Sequence, residues 1–180
     1  MDHLPQIARS AGLSQRFSSS FRPDGAPRNA ALAKLALHMD IAWDFDGTLV
    51  DHPASPLLHQ FIREHRGIRH VIVTFRSHGT ESLVWSELAR HHGAPDRACF
   101  DGVLNVPDAM WEQVRDRRQR LGLARHLLPS LTERQYKCWK GRACREHAIT
   151  ALVDDMTATV AAGCRRYGVA LFHPNDFLPG

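Results

Sequence analysis

The chain has 180 residues, of which 43% are hydrophobic, and a formal net charge of +4. This length suits one domain with a substantial buried core, and the composition excludes wholesale disorder. No run approaches the roughly 18 consecutive apolar residues of a membrane span, and the first residues lack the order of a secretory signal. We therefore expect a cytoplasmic protein without membrane association, whose basic surplus favours anionic substrates.

The first 38 residues differ in composition from the rest of the chain. They carry the triple serine Ser18–Ser20, several arginines, and prolines that include Pro23 and Pro27, with little apolar periodicity before Ala30. We interpret residues 1–38 as a flexible N-terminal extension and residues 39–180 as the folded domain. The sequence leaves open whether the extension is ordered, is an organelle-targeting segment, or reflects a misassigned start before Met39.

From Ile41 onward, short apolar runs alternate with segments of helical periodicity. The run Ile41–Trp43 predicts a buried strand that ends in a polar turn containing Gly47. Further strands are predicted over 70–74, near 103–104, and over 149–153 and 169–172, with a loop over 76–78. Helices are predicted over 56–65, 81–91, 108–120, 132–147 and 157–167. This alternation indicates a three-layer, Rossmann-like α/β domain with a mostly parallel central sheet.

Three of the predicted strands end in polar residues, where open parallel sheets bind their ligands. Asp44 and Asp46 follow the first strand, Thr74 ends the second, and Asp154-Asp155 follow a later one. Carboxylates brought together at one edge of a sheet repel one another unless a cation lies between them. Because Mg²⁺ prefers a few carboxylates together with a substrate phosphate, the pattern predicts a site for Mg²⁺ and a phosphoryl group.

The spacing of Asp44 and Asp46 suits a two-step reaction at phosphorus. Gly47 permits a tight turn, so both carboxylates can reach one reaction centre. One can attack phosphorus while the other protonates the leaving group and then activates water. Thr74 offers a hydroxyl and a backbone N–H to phosphate oxygens, and a nearby lysine can neutralise the transferring group.

The same residues resemble the signature motifs of a known family. The hexapeptide Asp44–Leu49 matches the DxDGT motif of the haloacid dehalogenase-like (HAD) superfamily of phosphohydrolases. The strand ending at Thr74 resembles the second motif of that family, an upstream lysine resembles the third, and Asp154-Asp155 resembles the acidic fourth. The order also matches, and the resemblance covers roughly residues 39–175.

The resemblance implies a role for each matching acidic residue. Asp44 would be the nucleophile and a magnesium ligand, and Asp46 the general acid and base with its backbone carbonyl on the metal. Asp154 would bind magnesium, with Asp155 as a further ligand or a partner of the ligands. The dehalogenases of the family lack an aspartate at the position of Asp46, so carbon–halogen hydrolysis is disfavoured.

The resemblance also implies the phosphate-binding residues. Thr74 would bind the phosphoryl group, and Thr48 would orient the loop beside it. Lys137 lies 17 residues before Asp154 and Lys140 lies 14 before it. The longer spacing suits the family members with short linkers, so we prefer Lys137 as the site lysine and keep Lys140 as the alternative.

The spacing of the motifs predicts an open site. Only 29 residues separate Asp44 from Thr74, which leaves no room for a large helical cap, and the later spacing does not suit a full cap domain. We therefore expect a capless or small-cap phosphatase acting on a small phosphoester, a nucleotide, a phosphorylated nucleic-acid end or a phosphoprotein. The alternatives are a binding or regulatory domain that has lost turnover, and a phosphotransferase, which an open site disfavours. The oligomeric state, and with it a cap supplied by a neighbouring copy, stays open.

Overall fold

The computed structural model describes residues 30–113 and 131–179, and they form an α/β fold around one sheet. All five strands are parallel, in the order β3-β2-β1-β4-β5. Their bounds are Asp40–Trp43 (β1), Arg69–Ser77 (β2), Gly102–Val106 (β3), Ala151–Val153 (β4) and Ala170–Phe172 (β5). The fold class is therefore as predicted, and the described residues contain no large cap domain.

Helices cover both faces of this sheet. They are α1 (Ala30–Leu35), α2 (Ser55–Glu64), α3 (Glu81–Leu88), α4 (described over 108–113), α5 (Leu131–Glu146) and α6 (Thr157–Tyr167), with short 3₁₀ turns at Arg97–Cys99 and Pro174–Phe177. Within the described ranges, none of these helices is both long enough and apolar enough to cross a membrane.

The core is split into two clusters by the alternation of side chains along the strands. In β1, Ile41 and Trp43 face the cluster that includes residues of α2 and α3, whereas Ala42 faces the cluster that includes residues of α5 and α6. Successive side chains of a strand point to opposite faces, so a fully buried strand needs apolar residues at every position. This double burial explains why β1 reads as a continuous apolar run.

Helices α5 and α6 pack with their backbones in contact. A Cβ atom added to Gly141 would lie 2.5 Å from the carbonyl carbon of Gly163, and one added to Gly163 would lie 2.7 Å from Cα of Cys138. Only glycine permits an approach this close. The pair therefore sets how closely α5 and α6 approach each other.

Several element boundaries differ from the prediction. Strand β2 continues to Ser77 rather than ending at Thr74, with an irregular register against β3 between those two residues. Residues 76–77 are therefore strand and not loop. Helix α3 ends at Leu88 rather than His91. Residues 114–120 of the predicted helix 108–120 lie outside the described residues, as do residues 1–29 of the predicted extension.

The last part of the predicted extension belongs to the core. Helix α1 contributes Leu35, which is fully buried and packs in the same cluster as Trp43. The chain at Ala30–Leu35 contacts the 3₁₀ turn Pro174–Phe177, whose Phe177 is also fully buried. The described part of the domain thus begins at least nine residues before the predicted boundary at Met39.

A buried histidine joins β1 to β2. His70 is 1% exposed, and its Nδ1 accepts a hydrogen bond of 3.2 Å from Nε1–H of Trp43. Its Nε2 lies 3.2 Å from the carbonyl of His65, so the ring satisfies both contacts only as the neutral tautomer with the proton on Nε2. Burial lowers the pKa of His70 to about 4, against a weaker opposing effect of the His65 carbonyl.

We predict that acid destabilises the protein through His70. The unfolded chain takes up a proton near pH 6.5 but the folded ring does so only near pH 4, so the stabilisation is complete above pH 6.5 and is lost as the pH falls towards 4. The free energy of unfolding should fall by about 3 kcal/mol across this window, and buried His59, whose pKa is also lowered by burial, adds in the same direction.

Urea unfolding measured between pH 4 and 7 checks this prediction. His70→Asn keeps an amide oxygen for Trp43 and removes the titration, so its stability should depend less steeply on pH than that of the wild type. Parallel pH dependences for the two proteins would show that His70 is not the cause.

Candidate active site

The loop after β1 separates two aspartates into different environments. The backbone N–H of Asp44 donates to the carbonyl of Val153 at 2.9 Å, which continues the pairing of β1 with β4. The chain then turns at Gly47, which has a φ of +70°, and Asp46 and Val50 form a bridge across the turn. As a result Asp44 is 5% exposed, whereas the Asp46 side chain is 56% exposed.

This loop lies where the strand order of the sheet reverses. The chain proceeds from β1 to β2 and β3 on one side, and then crosses to β4 and β5 on the other. The carboxyl ends of β1 and β4 adjoin this switch point, where parallel α/β sheets bind their ligands. Asp44 follows β1 directly and Asp154 follows β4 directly.

A buried lysine from α5 joins these two aspartates. The Lys140 Nζ lies 2.7 Å from Oδ1 of Asp44 and 2.7 Å from Oδ2 of Asp154. Lys140 and Asp154 are fully buried, so three charged groups share a space that bulk water does not reach. Buried charges are tolerated only when they are paired and hydrogen-bonded, as these are.

The pKa values of this cluster reflect burial and charge in competition. Burial raises the pKa of Asp44 to about 7; Lys140 opposes this and Asp154 adds to it. Burial alone would lower the pKa of Lys140, but the charges of Asp44 and Asp154 outweigh it and raise the value. Lys140 is therefore held as an ammonium ion between the two aspartates.

The preference for Lys137 over Lys140 is not supported by this geometry. Lys137 is 40% exposed and pairs with Glu133 on the same helix at 3.2 Å. Three residues on an α-helix change the direction of a side chain by about 60° and its height by about 4.5 Å. This difference places the Lys140 ammonium between Asp44 and Asp154. The lysine that contacts both aspartates is therefore Lys140, the alternative of the sequence analysis.

Three carboxylates form a cluster that could hold a cation. One oxygen from each of Asp44, Asp154 and Asp155 lies within 4.8 Å of the others, the one such group of three in residues 30–113 and 131–179. Asp155 Oδ1 is buried and has no hydrogen-bond partner among the described residues. If all are ionised, three carboxylates and one ammonium leave two negative charges, so the donor set fits a divalent cation that prefers oxygen ligands.

The two threonines play different parts. Thr48 is buried, its hydroxyl oxygen accepts from the Asp155 N–H at 3.2 Å, and its carbonyl accepts from the Ser55 hydroxyl at 2.8 Å. It therefore ties the loop after β1 to the acidic pair after β4. Thr74 is 1% exposed and lies two residues beyond Ile72, the partner of Trp43 in β2. Its hydroxyl oxygen accepts from the Arg76 N–H at 3.2 Å, and its phosphate-binding role stays a prediction.

The fold brings to the site two residues, Arg76 and Phe75, that stand outside the predicted set of site residues. Arg76 donates from Nε to Asp46 at 2.9 Å, with a second bond from Nη2 to the same carboxylate. The alternation of side chains along a strand could have indicated this, because Arg76 lies two positions after Thr74 and so shares its side of β2. The Lys140 ammonium lies 4.6 Å from the ring centroid of Phe75. The same ring stacks on Tyr136, with 4.5 Å between the ring centroids.

We predict that Lys140→Met and Lys137→Met differ sharply in stability. Lys140→Met leaves two buried carboxylates without their partner, which should lower the free energy of unfolding by about 3 kcal/mol. Lys137→Met removes only a half-exposed ion pair one helical turn away and should change it by less than about 0.5 kcal/mol. Urea unfolding near pH 7.5 in a chelator measures both variants, and equal losses would contradict the assignment of Lys140.

We also predict that Gly47→Ala weakens cation binding. A Cβ there would lie 2.6 Å from Oδ2 of Asp155, one of the three clustered carboxylates. Gly79→Ala is the matched control, because Gly79 has a similar φ of +83° and its Cβ would meet no described atom within 4 Å. Both variants carry the backbone strain, so both should lose about 1 kcal/mol or more of stability.

We expect Mg²⁺ to raise the melting temperature of the wild type, and only Gly47→Ala should also lose this rise. Thermal unfolding with and without Mg²⁺ measures this rise directly. An undiminished rise in Gly47→Ala would show that Asp155 does not take part in binding the cation.

No protein-family model matches this sequence, and no curated protein matches it significantly. What the chain does is therefore inferred from the chemistry of the site itself.

Proposed function

We propose that this chain is a Mg²⁺-dependent phosphatase that hydrolyses phosphomonoesters through a phosphoaspartate on Asp44. The observation that carries the proposal is the buried cluster of Asp44, Lys140 and Asp154 at the switch point of the sheet. A carboxylate, an ammonium ion and further carboxylates gathered at the strand ends suit phosphoryl transfer, where positioning and charge neutralisation supply most of the rate. The resemblance of Asp44–Leu49 to the HAD signature supports the same reaction.

The contacts of Asp44 suit it to act as a nucleophile. Its Oδ1 accepts from the backbone N–H of Phe45 at 2.7 Å and from Lys140, so one carboxylate oxygen is held in place. In the proposed first step the other oxygen, Oδ2, forms a bond to phosphorus as the bond from phosphorus to the ester oxygen breaks. Asp46 gives its proton to that leaving oxygen, which departs as an alcohol.

The second step returns the enzyme to its starting state. Asp46, now ionised, removes a proton from a water molecule as the water oxygen attacks phosphorus. The bond between phosphorus and Asp44 breaks, which releases inorganic phosphate and restores both carboxyl groups. The exposure of Asp46 lets it meet both the leaving alcohol and the incoming water, whereas burial of Asp44 shields it from other reactions.

Mg²⁺ would be held by Asp44, Asp154 and Asp155, with the backbone carbonyl of Asp46 as the further ligand that the family resemblance implies. When bound, the ion supplies positive charge to the phosphate oxygens and offsets the mutual repulsion of the carboxylates. Oδ1 of Asp155, which has no hydrogen-bond partner among the described residues, and the bond from the Asp155 N–H to the Thr48 hydroxyl support this ligand set.

The substrate class follows from the access to the site. Asp46 is more than half exposed, and the described residues place no large cap over it. With a net charge of +4, the protein would attract phosphorylated molecules of any size. We therefore propose as substrates a small phosphoester, a nucleotide, a phosphorylated nucleic-acid end or a phosphoprotein.

We predict that Asp44→Asn abolishes Mg²⁺-dependent phosphatase activity and that Asp46→Asn lowers it by about 10²–10⁴-fold. An amide at position 44 is a poor nucleophile, and an amide at position 46 cannot transfer the proton. A panel of sugar phosphates, nucleotides, phosphopeptides and 3′- or 5′-phosphorylated oligonucleotides, assayed for phosphate release, measures both.

Asp51→Asn is the control, because Asp51 is exposed seven residues beyond Asp44 and asparagine tolerates its φ of +60°. It should turn over like the wild type. Turnover that survives Asp44→Asn would overturn the nucleophile. A folded, Mg²⁺-binding wild type that releases no phosphate from any substrate would indicate a binding domain instead, and transfer to an added alcohol in preference to water would indicate a phosphotransferase.

A further inference from the structure

Asp46 is held by one arginine on both of its oxygens. Arg76 donates from Nε to Oδ2 at 2.9 Å and from Nη2 to Oδ1. A fork of two parallel bonds fixes both the direction and the rotation of a carboxylate, which a single contact cannot do. Among the contacts between described side chains, this fork is what restrains Asp46 on its exposed turn.

Arg76 is itself fixed on three sides. Its Nη2 also donates to Oε2 of Glu87 in α3 at 2.7 Å, and its guanidinium lies over the ring of Phe45 at 4.6 Å from the centroid. Its backbone N–H donates to the hydroxyl of Thr74, and its carbonyl accepts from Nδ2 of Asn105 at 3.3 Å. The arginine that orients Asp46 therefore has its own backbone and head group anchored by β2, β3 and α3.

Stability alone does not explain this arrangement. An ion pair at the protein surface contributes little to stability, and here two carboxylates compete for one guanidinium. The local charges of Asp46, Arg76 and Glu87 sum to one negative charge, so the group is not a ready-made anion site either. What the contacts do provide is a defined position for the one carboxylate that must meet a leaving group and then a water molecule.

We propose that Arg76 is the positioning residue for Asp46, and that Glu87 acts one step further out by orienting Arg76. The proposal rests on the phosphatase proposed above. Loss of Arg76 would let Asp46 rotate away from the leaving oxygen, which slows proton transfer and leaves the binding of the phosphate group unchanged. Its effect would therefore grow with the need of the leaving group for a proton.

Two esters with different leaving groups test this dependence. The leaving group of p-nitrophenyl phosphate departs without a proton, whereas that of glycerol phosphate must be protonated, and kcat/KM reports the step in which each departs. Arg76→Gln should lower kcat/KM for glycerol phosphate by about 10²-fold and for p-nitrophenyl phosphate by only a few-fold. Arg76→Lys keeps the charge but not the two parallel bonds, so its kcat/KM for glycerol phosphate should lie between those of the wild type and Arg76→Gln. Glu87→Gln should shift the ratio of kcat/KM for the two esters in the same direction, but by less.

A matched control and a double-mutant cycle separate positioning from general damage. Arg69 pairs with Asp40 at 2.6 Å at the other end of β2, with 31% of its side chain exposed against 24% for Arg76. Arg69→Gln should leave the ratio of the two esters unchanged. Arg76→Gln should cost nothing further in an Asp46→Asn background, since there is no proton donor left to orient. Equal losses on both esters, or a full further loss beside Asp46→Asn, would overturn the proposal.

A spectroscopic readout keeps this test distinct from the test of activity. The Nε–H of Arg76, assigned through Arg76→Gln in ¹H–¹⁵N spectra, should exchange slowly with water in the wild type and faster in Asp46→Asn. Fast exchange in the wild type would overturn the proposal whatever the turnover. Slow exchange together with no hydrolysis of any ester would leave the pairing intact and reject the phosphatase.

Discussion

The contact between Lys140 and the two aspartates, Asp44 and Asp154, is the constraint on which the rest of the site depends. Each charge is removed from water, so each is tolerable only while the others stay within hydrogen-bond distance. The two aspartates follow adjacent parallel strands, and the lysine comes from a helix that packs across them. If β1, β4 or α5 shifted by even part of the length of a hydrogen bond, a buried charge would lose its partner. The cluster thus links the sheet register to the site.

The turn after β1 places two chemically identical residues in different environments. Gly47 turns the chain so that Asp44 stays inside and Asp46 emerges into solvent. In the proposed reaction, burial beside an ammonium ion suits Asp44 to act as a nucleophile with one fixed oxygen, and exposure lets Asp46 exchange protons with alcohol and water. Two positions in the sequence thus acquire different properties from their surroundings alone.

Much of the fold could be predicted from the sequence because the central strands β1, β2 and β4 are largely buried on both faces. Runs such as Ile41–Trp43 can then be recognised by continuous apolar character, and the polar residues that follow them mark the strand ends. The positions of Asp44, Asp46 and Asp154 at those ends followed from this pattern. The gathering of Asp44, Asp154 and Asp155 into one cluster agrees with it.

The remaining features depend on contacts that no local pattern records. The choice between Lys137 and Lys140 depends on how far α5 lies along the sheet. The continuation of β2 past Thr74 depends on pairing with β3, which includes Asn105. The partnership of Arg76 with Asp46 joins residues 30 positions apart and became visible only when both strand ends were in place.

The glycine contact between α5 and α6 lets residues without a functional group determine where Lys140 lies. Gly163 carries no functional group and lies on α6, yet a methyl group there would push against the backbone of α5 at Cys138, two residues before Lys140. The helix would have to move outward and take its ammonium group with it. The absence of a side chain at Gly163 therefore helps to set the position of the Lys140 ammonium. A residue without a functional group can thus matter to the acidic cluster as much as a charged one does.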